Sequence, residues 1–87
     1  MGTRTRPRPK HLASKLKAIR LSLGLSQNEL LERLKADEPL VRSAISAYER
    51  GAREPSYLTL LRYARLAGIS TDVLIDDELE LTSMQAE

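Results

Sequence analysis

The sequence predicts a small all-α protein, a compact bundle of five helices. Apolar residues recur every three or four positions through most of the chain, and no credible strand interrupts them. Serines precede three of these periodic segments and glycines follow three of them, as expected for N-caps and for the C-terminal ends of helices. The length of 87 residues suits one small domain. With three Tyr and neither Phe nor Trp, its core depends on leucine packing.

Helix 1 is predicted to begin near His11–Leu12 and to end before Gly24. Its apolar face has the spacing of a helix and consists of Leu12, Leu16, Ile19 and Leu23. His11, the only histidine, has neither a second His nor a Cys to form a metal site with it, so we expect a surface residue.

Helix 2 is predicted from about Gln27 to Lys35. Ser26 stands before it as the N-cap, and Glu29 follows three residues later, which is the spacing of a capping box. The side chains that we expect this helix to bury are Leu30, Leu31 and Leu34.

Helix 3 is predicted to begin at Asp37 or Glu38 with Pro39, because proline is tolerated in a first helical turn, and to end at Gly51. One face is apolar, with Val41, Ile45 and Tyr48. The opposite face is small, rich in hydrogen-bond donors and free of acids. This pattern is typical of a helix that lies in the DNA major groove, which is about 12 Å wide. The residues of that face are Arg42, Ser43, Ser46, Ala47 and Arg50.

Ser56 is predicted to cap helix 4 and Ser70 to cap a short helix 5. We expect helix 4 to end at Gly68 and its outer face to carry Leu58 and Leu66. The apolar residues assigned to the inner face of helix 4 are Tyr57, Leu60, Leu61 and Ala64. Helix 5 contains Val73, Leu74 and Ile75.

Charge is distributed unevenly along the chain. Residues 1–65 contain all 14 Lys and Arg against six acids, a formal charge of +8. Residues 66–87 contain six acids and no base, a formal charge of −6. Positive charge clustered in this way favours a polyanionic partner, and nucleic acid before a membrane surface.

Several classes of protein are disfavoured by what the sequence lacks. It has no Cys, one His and no Gly-rich phosphate loop, so we expect no enzyme, no metal and no cofactor. No apolar run approaches the roughly 20 residues of a membrane helix. The basic start is not followed by the apolar region of a signal peptide, and the expected compartment is therefore the cytoplasm.

From about Leu12 to Ile75 the chain resembles the phage-repressor (Cro/repressor-type, XRE) helix-turn-helix proteins of bacteria and phages. The resemblance implies a lambda-repressor-like fold, with the helix-turn-helix at helices 2 and 3. One departure is a longer turn between Leu34 and Ile45 than the family usually has. The residues that carry the resemblance are Gly24-Leu-Ser-Gln27, Leu30, Ser43-x-Ile45-Ser46-x-Tyr48-Glu49-x-Gly51, Pro55-Ser-x-x-Thr-Leu60-Leu61 and Ala67-Gly-Ile-Ser70.

The resemblance also implies roles for individual residues. Matching the motif places Arg42, Ser43, Ser46 and Ala47 at base-facing positions of a double-stranded DNA site. Arg42 is the strongest candidate, since a guanidinium can bond both O6 and N7 of a guanine. In the family, the Gln at the position of Gln27 contacts a phosphate and braces the recognition helix. The family also pairs the residues at the positions of Arg20 and Glu49 as a structural ion pair.

Further phosphate contacts are expected from residues around the two helices. Ser26 lies at the start of helix 2, and Arg50 and Arg53 lie near the end of helix 3. Residues 1–10 form a basic arm in which arginines alternate with Thr and Pro. Such an arm either keeps the protein soluble or lies along phosphates or a minor groove. Its arginines are Arg4, Arg6 and Arg8.

The interpretation that we favour is a repressor-type transcriptional regulator that binds DNA as a homodimer. Residues 11–76 are the helix-turn-helix domain, and residues 77–87 are an acidic tail. The alternative is a protein-interaction module, such as an antitoxin, that uses the same scaffold and docks a partner through its tail or through the Leu58/Leu66 face. Apolar residues without an evident place in the core are assigned to a dimer contact, and these are Leu58, Leu66, Ile75, Leu79 and Leu81.

Overall fold

The computed structural model describes residues 8–81, and in this part of the chain all regular secondary structure is helical. The helices are α1 (Leu12–Ser22), α2 (Gln27–Leu34), α3 (Arg42–Arg50), α4 (Tyr57–Ala67) and α5 (Thr71–Ile75). Helix α1 packs against α3 and α5, while α2 packs against α3 and α4. The predicted all-α fold of five helices is confirmed.

Local sequence accounts for most of the helix ends. Ser26 and Glu29 form the predicted capping box, in which each side chain accepts a hydrogen bond from the other residue's backbone N–H. The Ser56 hydroxyl caps α4 by accepting from the N–H of Thr59. Gly51 ends α3 with a φ of 76°, a conformation that glycine adopts without the steric cost that a Cβ would add. Ser70 occupies the N-cap position of α5, but its side chain makes no capping hydrogen bond, contrary to our expectation.

The core is a single cluster to which all five helices contribute. Its aromatic members are Tyr48 and Tyr63, and the rest are aliphatic. The buried apolar residues are Leu12, Leu16, Ile19, Leu30, Leu34, Ala44, Ile45, Tyr48, Leu60, Tyr63, Ala64, Ala67 and Leu74.

The prediction that helix 3 begins at residues 37–39 is wrong, because α3 begins at Arg42. The preceding segment is held against α4 instead. One oxygen of the Glu38 carboxylate accepts from the hydroxyls of Ser56 and Thr59, both at 2.7 Å. These two bonds satisfy the carboxylate outside a helix, and the chain enters α3 in an extended conformation.

Two assignments to the core are also wrong. Val41 is 62% exposed, since it precedes the first turn of α3 and does not follow the helical period. Tyr57, the first residue of α4, is 85% exposed, while Leu31 and Leu61 are half-buried. Leu60 and Ala64 are buried as predicted, and α4 also buries Thr59, Tyr63 and Ala67.

None of the described helices has the length and apolar character needed to cross a membrane.

Candidate nucleic-acid interface

The outward face of α3 presents polar and small side chains. Arg42, Ser43 and Arg50 are exposed, and Ser46 and Ala47 are half-buried. The face has no exposed acid within the described part of α3, because the side chain of Glu49, the helix's only acid, is 4% exposed. The surface that remains is a row of donors and one methyl group.

Glu49 is turned inward by Arg20 of α1. The guanidinium donates from Nε to Oε2 at 2.7 Å and from Nη2 to Oε1 at 3.0 Å, a two-point contact. A third donor, Nη1, bonds the carbonyl of Leu25 at 2.9 Å. Hydrogen bonding to Glu49 raises the pKa of Arg20 above its ordinary value. Arg20 therefore joins α1, the turn before α2, and α3 at one point.

Gln27, the first residue of α2, forms hydrogen bonds with residues near both ends of α3. Its Nε2 donates to Oε1 of Glu49 at 3.3 Å, and its Oε1 accepts from Nε of Arg42 at 3.4 Å. The second contact places the Arg42 guanidinium beside the N-terminal end of α2. Gln27, to which the resemblance assigns a bracing role, thus lies where α2 and α3 meet.

The N-terminal end of α2 offers donors next to this joint. Ser26 Oγ accepts from the N–H of Glu29, which leaves the hydroxyl proton of Ser26 free to donate. Helix geometry leaves the N–H groups of Gln27 and Asn28 without intrahelical acceptors. Such an end attracts anions, because the helix dipole and the free N–H groups act together.

The three described arginines near the C-terminal end of α3 each contact the protein. Arg50 Nε donates to Ser46 Oγ at 3.3 Å. The Arg53 guanidinium lies 5.8 Å from the centre of the Tyr48 ring. Arg8 Nη1 donates to the carbonyl of Gly51 at 3.5 Å. The two remaining arginines that we assigned to phosphates, Arg4 and Arg6, lie outside the described residues.

One of the basic residues that contribute to the charge of +8 does not lie on this surface. Lys15 is buried, and its Nζ donates to the carbonyls of Val73 at 2.7 Å and Asp76 at 3.0 Å. It satisfies the C-terminal end of α5, and its charge does not face the surface of α3.

Val41 is a candidate that our sequence analysis assigned to the core and therefore missed. It is the N-cap of α3, and that helix has no side-chain capping bond. Valine is a poor N-cap, and it is exposed here next to Arg42. An unfavourable cap that is also an exposed apolar group is a candidate for a contact outside this chain. No signal in the sequence marked Val41, because its place before α3 depends on where that helix begins, and only the structure shows this.

The residues assigned to a dimer contact fall into two groups. Leu58, Ile75 and Leu79 are exposed. Leu66 and Leu81 are partly buried against the protein's own core, so the expectation that they lack a place in it is wrong.

No group of three or more His, Asp or Glu within residues 8–81 is arranged to hold a metal ion. The lowered carboxyl pKa values have structural causes. The Arg62 guanidinium, bonded to Asp37 at 2.8 Å, lowers the pKa of Asp37. The hydroxyls of Ser56 and Thr59 lower that of Glu38. Neither shift indicates a catalytic group, since each is explained by a contact that fastens the turn before α3 to α4.

The N-terminally capped α2 and the following α3 with its polar outer face have the order expected of a helix-turn-helix. The chain belongs to this family, because the family model described as "Helix-turn-helix" matches residues 16–74. The match begins within α1 and ends within α5. This confirms the resemblance to XRE-type proteins.

A relative from Bacillus subtilis (strain 168), described as an uncharacterized HTH-type transcriptional regulator YqaE, is 35% identical over 63 residues. The aligned region covers 72% of this chain and 51% of the relative, so the chain spans about half the relative's length. No solved structure matches the chain significantly. Membership of the family, together with the regulator described for the relative, bears out the prediction that this domain is not an enzyme.

Proposed function

We propose that this protein is a repressor-type transcriptional regulator that binds double-stranded DNA with α3 in the major groove. The observation that carries the proposal is the outward face of α3, which is free of exposed acid because Arg20 holds Glu49 in the interior. A carboxylate at that position on the surface would repel phosphates. Because Glu49 is held in the interior, the polar groups of this face that meet DNA are Arg42, Ser43 and Ser46.

The contacts divide into those that position the protein and those that select a sequence. The N-terminal end of α2, with Ser26 and Gln27, binds one phosphate. Arg50, at the C-terminal end of the outward face, and Arg53, which follows α3, bind phosphates at that end. Arg42 and Ser46 reach base edges, and Ala47 contacts at most a thymine methyl. The hydrogen bond from Arg42 to Gln27 pre-orients the guanidinium, which lowers the entropy cost of binding a guanine.

A binding selection on randomised duplex DNA, followed by affinity measurements on the preferred site and on random DNA, tests this proposal. Arg42→Ala should cost about 1–3 kcal/mol on the preferred site and relax discrimination at one base pair. Arg65→Ala is the matched control, because Arg65 is exposed on α4, which packs mainly against α2 and α5. Neutralisation of about six phosphates would give a slope of log K against log[salt] near −5. No binding at low salt, or equal losses for both variants on both DNAs, would reject the proposal.

Val41 extends the same interface by one apolar contact. Deoxyuridine lacks only the methyl group of thymidine, so replacing each thymidine of the preferred site in turn removes one methyl at a time. One replacement should weaken binding by the parent but not by Val41→Ala. If every replacement affects both proteins equally, Val41 contacts no thymine.

We also propose that the protein binds as a homodimer on half-sites roughly 34–36 Å apart, since one recognition helix reads only a few base pairs. The contact would use Leu58, Ile75 and Leu79, which are exposed and belong to α4, α5 and the segment after α5. Sedimentation of Leu58→Glu and Ile75→Glu should show weaker association. Leu21→Glu is the control, since Leu21 is an exposed leucine of α1. A parent that is monomeric even on DNA would exclude the dimer and favour a protein partner for this apolar surface.

A further inference from the structure

The turn before α3, residues 35–41, is held against α4 by two consecutive acids. Asp37 pairs at the surface with an arginine of α4, and its side chain is 43% exposed. Glu38 reaches further into the domain, because its Oε2 accepts from the hydroxyls of Ser56 and Thr59, and Thr59 is fully buried. The contact of Glu38 therefore attaches the turn to a part of α4 that cannot move freely.

The N-terminal end of α3 has few attachments of its own. Val41 occupies the N-cap position, is exposed and makes no side-chain capping bond. Helix α3 packs mainly against α1 and α2, and its ion pair with α1 is made by Glu49, near the opposite end. The hydrogen bond from Arg42 to Gln27 is long, at 3.4 Å. The position of this end consequently depends on the turn that leads into it.

Glu38 lies close enough along the chain to influence that position. Only Pro39 and Leu40 separate it from Val41, and Arg42 follows as the first residue of α3. Proline has a fixed φ, and Leu40 is partly buried against the core, so this short connection has little freedom to absorb a shift. A displacement of the turn at Glu38 should therefore move the first turn of α3, which carries Arg42.

We propose that Glu38 is a positioning residue for base readout, which holds the first turn of α3 where Arg42 meets its base. This inference rests on the DNA-binding function proposed above. The two hydrogen bonds to α4 restrict the turn before DNA is bound, so less conformational entropy is lost on binding. An acid then strengthens DNA recognition through its contacts, although its charge alone would repel phosphates.

Two substitutions separate the hydrogen bonds of Glu38 from its charge. Glu38→Gln removes the charge but keeps a side-chain oxygen that can accept two hydrogen bonds, whereas Glu38→Ala removes both. Glu38→Ala should weaken binding to the preferred site about threefold or more, while Glu38→Gln should bind at least as tightly as the parent. Glu32→Ala and Glu32→Gln are the matched controls and should bind equally, since Glu32 is an exposed acid of α2.

The base pair at which the loss occurs distinguishes positioning from a general effect on the fold. Glu38→Ala should relax discrimination at the same base pair as Arg42→Ala and leave affinity for random DNA undiminished. In a chain that already carries Arg42→Ala, it should change that discrimination no further. Thr59→Val tests the contact from the other side without a change in charge, and it should relax the same base pair.

Three results would overturn the positioning role. These are equal weakening by Glu38→Ala on preferred and random DNA, equal affinities for Glu38→Ala and Glu38→Gln, and an undiminished loss in the Arg42→Ala chain. Circular dichroism at the assay temperature shows that each variant is folded. If the parent does not bind DNA, the proposed function fails and the inference falls with it. If the parent binds and one of the three results is found, the inference alone fails.

Discussion

The two ends of α1 are attached to the rest of the domain by different kinds of contact. Near its C-terminal end, Arg20 pairs with Glu49 of α3 through two side-chain hydrogen bonds. Near its N-terminal end, Lys15 and Asp77 bond only backbone groups, namely the carbonyls of Val73 and Asp76 and the N–H groups of Lys10 and His11.

The two ends of α1 differ in the amino-acid substitutions that they tolerate. The Arg20–Glu49 contact needs two particular side chains of opposite charge, because each leaves a buried ion if the other is removed. At the other end, the partners are backbone groups, which are present whatever the side chains. These contacts therefore require only two particular side chains, those of Lys15 and Asp77. The first end ties α1 to α3, and the second ties α1 and the two residues before it to α5 and Asp77.

The largest expected effect is at the Arg20–Glu49 end. Glu49→Ala should lower the free energy of unfolding by about 3 kcal/mol, because it leaves the Arg20 guanidinium, whose side chain is 13% exposed, without its carboxylate. Arg20→Ala combined with Glu49→Ala should cost less than the sum of the single variants. Urea denaturation measures all three. The same cycle on the exposed pair of Arg62 and Asp37 is the control and should show a much weaker coupling. Additivity at Arg20 and Glu49 would show that their contact does not stabilise the fold.

A smaller effect is expected from Lys15→Met, which keeps a similar aliphatic stem but removes the ammonium. The carbonyls of Val73 and Asp76 would lose a charged donor, at a cost of about 1–2 kcal/mol. Hydrogen exchange should accelerate in α5 more than in α2. Lys17→Met is the control, since Lys17 is exposed two residues further along α1. Uniform acceleration in all helices would mean that Lys15 does not act locally on α5.

The smallest effect concerns pH. The N–H groups of Lys10 and His11 lower the pKa of Asp77 below its ordinary value of 3.8. A carboxyl whose pKa is lower in the folded state stabilises the protein above its unfolded pKa, and this stabilisation is lost as the pH falls through the folded pKa. Stability should therefore fall as the pH drops below about 4, and Asp77→Asn should make that fall shallower. Denaturation from pH 6 to pH 2.5, with Asp76→Asn as the control, measures this. Parallel curves for Asp77→Asn and the parent would contradict the assigned bonds.

The sequence analysis identified the features that depend on residues close together in the chain. The capping box at Ser26 and Glu29 and the end of α3 at Gly51 follow from local backbone chemistry, and the structure has both. The family motif supplied the position of Gln27 and the pairing of Arg20 with Glu49, because their spacing along the sequence is part of the motif.

The sequence by itself determined the fold class, most helix boundaries and the polar face of α3, since helical periodicity and capping act over a few residues. Only the tertiary structure decided that α3 starts at Arg42, because the preceding turn is held by Glu38 against α4. Only the tertiary structure brought Asp77 to Lys10 and His11, across 67 and 66 residues. A carboxylate or an ammonium can bond any backbone group that the fold brings near it, so no pattern in the sequence marks such a contact.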